Sequence, residues 1–186
     1  MTYQKKLYSR INNSEMWPKF YKPDFLADLN NLANEAYAKK TTEGYLAALL
    51  IYHQLCEEMI KILIQCSNFF MQCAVFPNEI KTISFKREMF GQLIGELKRG
   101  VSNTEIKKFI EKCEDLNNLR IKMVHKITLK TSIRSIADQS KKAKKKFDDL
   151  CDIFIDEYDK YRVTFHNYEK NSEDWLDELD EKSKTY

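Results

Sequence analysis

Glycine and proline are scarce in this chain, whose 186 residues include only four glycines and three prolines. Tight turns and β-hairpins depend on these two residue types, so their scarcity argues against an all-β fold. The sequence also contains neither a GxxxxGK[ST] nor a GxGxxG loop. It therefore lacks the phosphate-binding signatures of the common nucleotide-dependent enzymes.

Long apolar runs are missing as well. No window reaches the roughly 18 uncharged apolar residues that a membrane-spanning helix needs. The N-terminal stretch MTYQKKLYSRINNSEMW lacks the apolar centre of a signal peptide. We therefore expect a soluble, cytoplasmic protein that makes no use of a membrane.

Cysteine usage argues against disulfides and metal sites. The five cysteines are odd in number and never spaced as CxxC, and no HExxH motif is present. Most of them fall on stretches with the pattern of apolar helix faces. We predict free thiols packed as small hydrophobic side chains, with no metal and no cofactor.

Helix-forming residues dominate what is present. Hydrophobic residues make up 43% of the chain and charged residues 32%, and apolar positions recur at spacings of three and four. We predict an all-α bundle of four or five main helices with a short C-terminal amphipathic helix. The predicted divisions are an N-terminal segment (1–23), a helical domain (24–168) and an acidic tail (169–186).

Capping residues suggest where the helices begin. Asp24 can cap the first helix, and Thr42 can start the longest one. Ser102, followed three residues later by Glu105, has the form of a capping box for a later helix. A single long helix is predicted over 133–168.

Charge is distributed unevenly along the chain. The formal net charge is +3, but residues 169–186 carry seven acidic and three basic side chains. The first 168 residues therefore carry a net charge of +7, which suits an anionic partner such as RNA. Candidate phosphate contacts are Lys122, Lys126, Lys144 and Lys145. A solvated helix face is the alternative interpretation of these lysines.

Arg120 interrupts the apolar stripe of the helix that follows Ser102. On an ideal helix Arg120 falls near the centre of that stripe. Because an unpaired buried guanidinium costs several kcal/mol, Arg120 must meet a carboxylate, line a wet cleft or face a second chain. Glu57 and Glu58 are the candidate supporting acids, and Asp115 is a local alternative.

Two histidines lie near these groups in the sequence. His125 is five positions after Arg120, about 140° around an ideal helix, and metal-binding pairs on a helix prefer a separation of four. An ion-paired structural arginine with a surface histidine is therefore one interpretation. His53 precedes Glu57 by one helical turn, which favours a structural hydrogen bond between them.

The segment DLNNLRIKMVH resembles the HEPN domain family, which carries an R-x4-H motif on a late helix of a small bundle. The earlier segments YLAALLIYHQLCEEMIKILI and FGQLIGEL are similar to the long early helix and the next short helix of that family. Together the resemblance covers roughly residues 25–165. It identifies Arg120 and His125 as the motif residues.

The resemblance implies a homodimer in which two motif helices meet and, in active members, metal-independent RNA cleavage. The implied setting is defence or a toxin with an antitoxin or other partner protein. Active members commonly carry Asn, Asp or His directly after the arginine, whereas this chain has Ile121. A non-catalytic dimerisation or RNA- or protein-binding module is therefore the alternative.

Overall fold

The computed structural model describes residues 2–80, 89–124, 127–129 and 132–172. These residues form α-helices and short 3-10 turns, and no strand occurs among them, so the predicted all-α class is confirmed. The helices are α1 (Tyr3–Ile11), α2 (Pro23–Ala38), α3 (Thr42–Ala74), α4 (Phe90–Gly100), α5 (Thr104–Val124), α6 (Ile133–Ser140) and α7 (Ala143–Lys170), with 3-10 turns at Ser14–Met16 and Ile127–Leu129.

Helix α3 is the centre of the bundle and contacts each of the other six helices. The predicted start at Thr42 is confirmed, with Thr41 as the cap, its hydroxyl accepting a hydrogen bond from the Gly44 amide at 3.1 Å. Apolar residues cover most of the circumference of α3. A helix of this kind is stable only when neighbours surround it.

The α2–α3 hairpin depends on small side chains. Ala33 and Ala36 are buried on α2, and a Cβ atom at Gly44 would lie 2.3 Å from the Ala36 carbonyl oxygen. Only glycine fits that approach. Lys40, in the connection, has a φ of 57°, the left-handed conformation that commonly ends a helix.

The N-terminal residues belong to the same hydrophobic core. Leu7, Ile11 and Trp17 are buried together with residues of the later helices. The Trp17 indole nitrogen donates to the Ile11 carbonyl at 2.9 Å, so the indole is satisfied although it is shielded from water. The segment 1–23 thus contains a helix and contributes a large side chain to the interior.

Two predicted helix caps are wrong, one by two residues and the other by one. Helix α2 begins at Pro23 rather than after Asp24, because proline has no amide hydrogen and suits the first helical position. Helix α5 is capped by Asn103 rather than Ser102, since the Asn103 side-chain oxygen accepts from the Ile106 amide at 2.8 Å. An amide oxygen caps as well as a hydroxyl does.

The single long helix predicted over 133–168 is also wrong. The chain turns between Ser140 and Ala143, so that α6 and α7 are separate helices. Both flanking side chains are fully buried, and the Tyr37 hydroxyl donates to the Lys141 carbonyl at 3.2 Å. A distant tyrosine therefore satisfies a carbonyl at the break, which no local pattern reveals.

The cysteines match their prediction. They are free thiols, of which Cys56, Cys66, Cys73 and Cys113 are buried and Cys151 is half-buried. Burial raises the pKa of Cys66 and of Cys73 to about 12, so both stay protonated near neutral pH. The predicted C-terminal helix with Trp175 and Leu179 lies outside the described residues.

Candidate functional site

Arg120 lies on the buried face of α5, as the sequence predicts. It follows Leu116 by one helical turn and precedes Met123, and both of those side chains are fully buried. The Arg120 side chain itself is half-buried. Its Nε is shielded from water and has no hydrogen-bond partner within the described ranges. The Arg120 Nε–H therefore finds no acceptor among the described side chains of this apolar face.

The acids proposed as partners of Arg120 pair with lysines instead. Glu57 and Glu58 both contact the Lys61 ammonium, at 2.9 Å and 2.7 Å. Asp115 contacts Lys146 at 2.6 Å. Lys61 lies within one turn of both glutamates on α3, where helical geometry favours such pairs. Arg120 consequently forms no ion pair with the part of the chain that the structure describes.

Helix α5 ends at Val124, directly before the motif histidine. His125 and the adjacent Lys126 lie outside the described residues. The pairing of Arg120 with His125 stays a prediction.

The structure instead brings His53 to the Arg120 helix. His53 is 3% exposed, and its Nε2 lies 3.1 Å from the side-chain oxygen of Asn117 on α5. The imidazole also stacks on Phe90 of α4, with ring centroids 4.2 Å apart. The predicted His53–Glu57 hydrogen bond is wrong, because Lys61 binds that carboxylate and Asn117 reaches the imidazole from the facing helix.

Asn117 is the residue that the sequence analysis missed. It precedes Arg120 by three positions and so lies on the same face of α5. The available signal was a polar amide on an apolar stripe, the same kind of interruption that marked Arg120. The partner of that amide is 64 positions away in the chain, and no local pattern connects the two.

The surroundings of His53 favour its neutral form. Burial is the largest cause that lowers the pKa of His53 from its ordinary value of 6.5, and the positive charge of Arg120 lowers it further. The Asn117 hydrogen bond and the Glu57 charge oppose these effects. With the carbonyl oxygen of Asn117 facing it, the neutral imidazole donates through Nε2.

We predict that His53 makes folding stability depend on pH. Because its pKa is lower in the folded state, the unfolded chain binds more protons as the pH falls through 6.5, and stability is lost. The free energy of unfolding should therefore fall more steeply from about pH 7.5 to about pH 5.5 in the wild type than in His53→Gln. Urea unfolding at both pH values measures this. Equal slopes would show that His53 is not the responsible group.

Two of the four lysines proposed for RNA binding, both on α7, contact acids. Lys144 pairs with Asp148, and Lys145 lies 3.5 Å from Asp149. Lys122 is exposed and has no salt bridge to any described residue. Exposed pairs contribute little to stability and exchange readily with other anions. The lysine run on α7 is thus partly neutralised by its own helix.

Neither the described residues nor comparisons with known proteins indicate a membrane helix, a metal site or a family. Among the described helices, none combines the length and the apolar character that crossing a bilayer requires, and no three His, Cys, Asp or Glu side chains of the described ranges are grouped as around a metal ion. No family model, curated protein or solved structure matches the chain.

Proposed function

We propose that this chain is a HEPN-like, metal-independent RNA endonuclease whose site is completed in a homodimer by Arg120 and His125. The observation that carries the proposal is the buried Arg120 Nε, which has no partner among the described residues. Because a buried guanidinium N–H without an acceptor is costly, we infer that the acceptor of Arg120 comes from outside the described residues of its own chain. A second motif helix or an RNA phosphate would supply it.

Apolar side chains after α5 support a dimer on this side of the molecule. Leu129 is 76% exposed and Ile133 is 68% exposed. The 3-10 turn that holds Leu129 contacts α5, and α6, which begins at Ile133, contacts α5 as well. Exposed apolar side chains on two segments that both contact α5 favour an interaction surface there. A two-fold axis near the end of α5 would bury both copies of them.

The residue types suit cleavage through the RNA 2′-hydroxyl. That hydroxyl attacks the adjacent phosphate, which requires a base, an acid and positive charge on the phosphorane. A histidine can serve as base or acid near neutral pH, and Arg120 can stabilise the phosphorane charge. One chain has one His125, so a dimer provides both proton-transfer groups. The proposed setting, cytoplasmic defence or a toxin with its antitoxin, rests on the resemblance.

A non-catalytic module is the second candidate, and two observations favour it. Ile121 is a half-buried apolar residue. Active members of the HEPN family commonly carry a polar residue at that position of the motif. The Lys144 and Lys145 ammonium groups already contact aspartates of α7, which weakens their attraction for phosphates. Such a module would use the same dimer to bind RNA or a partner protein without turnover.

The test is RNA cleavage in the presence of a chelator. We expect the wild type to leave 2′,3′-cyclic phosphate ends, and Arg120→Ala and His125→Ala to lose about 100-fold or more in rate. Arg99→Ala, at an exposed arginine of α4, is the matched control and should cleave normally. Cleavage that survives both motif substitutions would eliminate the proposed site.

Oligomer size separates the two candidates. Sedimentation should show a wild-type dimer, and Leu129→Glu should dissociate it and abolish cleavage together. A dimer that binds RNA or a partner protein but never cleaves RNA would establish the binding module instead. A wild-type monomer that still cleaves RNA would contradict the shared site.

A further inference from the structure

A cleft of about 290 Å³ lies between α3, the connection of α4 to α5, and α7. It involves neither Arg120, His53 nor Asn117. Its lining includes Ser67, Phe70, Val101, Asn103, Glu157 and Tyr161. The volume is at the small end of the range for ligand pockets, so it suits a small molecule rather than a folded partner.

Glu157 is the unusual residue of this cleft. It is 2% exposed, the only acidic residue so deeply buried among those the structure describes. Its Oε2 accepts from the Asn103 amide at 3.0 Å. Asn103 is held in turn by capping α5 through its own oxygen. The carboxylate is therefore fixed on one side by a rigid donor, while its charge requires a cation.

The cation that Glu157 now contacts is replaceable. Lys160 pairs with Oε1 from the next turn of α7, yet its side chain is 62% exposed, whereas that of Glu157 is 3% exposed. Because the Lys160 ammonium faces solvent, it regains its hydration when it leaves, and an incoming ligand cation would keep the buried carboxylate paired. The buried partner stays in place when the exposed one leaves.

The cleft walls suit the apolar body of a cationic ligand. The rings of Phe70 and Tyr161 lie edge to face with centroids 6.5 Å apart, and Val101 adds an aliphatic surface. Aromatic rings beside a carboxylate are the usual surroundings of a bound organic ammonium. An anionic ligand would be repelled by Glu157, and a neutral one would gain at most a hydrogen bond in place of an ion pair.

We propose that this cleft binds a small primary organic ammonium, whose charge pairs with Glu157 in place of Lys160 and whose apolar part lies against Phe70 and Tyr161. The site is independent of RNA cleavage. Lys160 acts as a tethered substitute for the ligand in the free protein.

The test is binding of 2-phenylethylamine, with 2-phenylethanol as the uncharged control, followed by amide chemical shifts of the full chain. We expect saturable shifts at cleft residues with the amine and binding of the alcohol that is weaker by about tenfold or more. Glu157→Gln keeps the shape and the acceptor for Asn103, and should weaken binding by about tenfold or more. Absence of saturable binding to the wild type, or equal affinity in Glu157→Gln, would overturn the proposal.

Lys160→Ala provides a second test of amine binding. It can be carried out even if Glu157→Gln does not fold. Removing the competing ammonium should increase the affinity for the amine by about tenfold. The amine should also raise the melting temperature of Lys160→Ala more than that of the wild type, because it neutralises a carboxylate left unpaired. Unchanged or weaker affinity would show that Lys160 does not occupy a ligand position.

Discussion

Arg120→Met is expected to make the folded chain more stable while abolishing RNA cleavage. The Arg120 Nε is buried without a partner in the described residues, and an unsatisfied buried donor costs about 1–3 kcal/mol. Methionine has a similar length and no polar hydrogen, so it can fill the same space between Leu116 and Met123. We expect the free energy of unfolding to rise by about 1–2 kcal/mol.

The cost to activity should be large, since one lost charge-stabilising donor reduces turnover by about 10²–10³-fold. Lys122→Met is the matched control, because Lys122 is an exposed cation of the same helix and its replacement should change stability by less than about 0.5 kcal/mol. Denaturant unfolding should be run at several protein concentrations. A loss of stability in dilute, monomeric Arg120→Met would show that the monomer itself satisfies the guanidinium, which would remove the main support for the dimeric site.

Trp17→Ala is expected to cause the largest loss of stability. Trp17 is 2% exposed, packs edge to face on Phe165 with centroids 5.6 Å apart, and lies beneath the Arg162 guanidinium at 4.8 Å. Removing a fully buried aromatic side chain costs about 3–5 kcal/mol. We therefore expect a loss of that size in the free energy of unfolding measured with urea.

The neighbouring Met16→Ala provides the control, because Met16 is 49% exposed whereas Trp17 is 2% exposed. Its replacement should change stability by less than about 0.5 kcal/mol. A loss below about 1 kcal/mol in Trp17→Ala would mean that residues before α2 are only loosely attached to the bundle. That outcome would favour treating 1–23 as a separate segment.

The position of Arg120 in the candidate site could be predicted from the sequence, whereas the residues that contact its neighbours could not. The position of Arg120 on the apolar face of α5 follows from the helical period alone, and the structure confirms it. The ionic partners were wrong because Glu57 and Glu58 find Lys61 within one turn of their own helix, and local pairs form more readily than pairs between helices. The role of Asn117 requires knowing which residue of α3 faces it.

The errors in helix boundaries have similar origins. Ser102 and Asn103 are both good caps, and the choice between them depends on Glu157, which accepts from the Asn103 amide. The break before Ala143 lies in a lysine-rich stretch with no proline or glycine. The Tyr37 hydroxyl of α2 supplies the donor that this break uses.

By itself the sequence determined the helical class, the start of α3 and the position of a charged residue, Arg120, on the apolar face of α5. Each of these depends on side-chain types and spacing along one helix. Only the tertiary structure decided that His53 meets Asn117, that the N-terminal residues complete the core, and that Glu157 is buried beside an open cleft. Those features depend on which helix surfaces meet, and residues tens of positions apart carry no local signal of their contact.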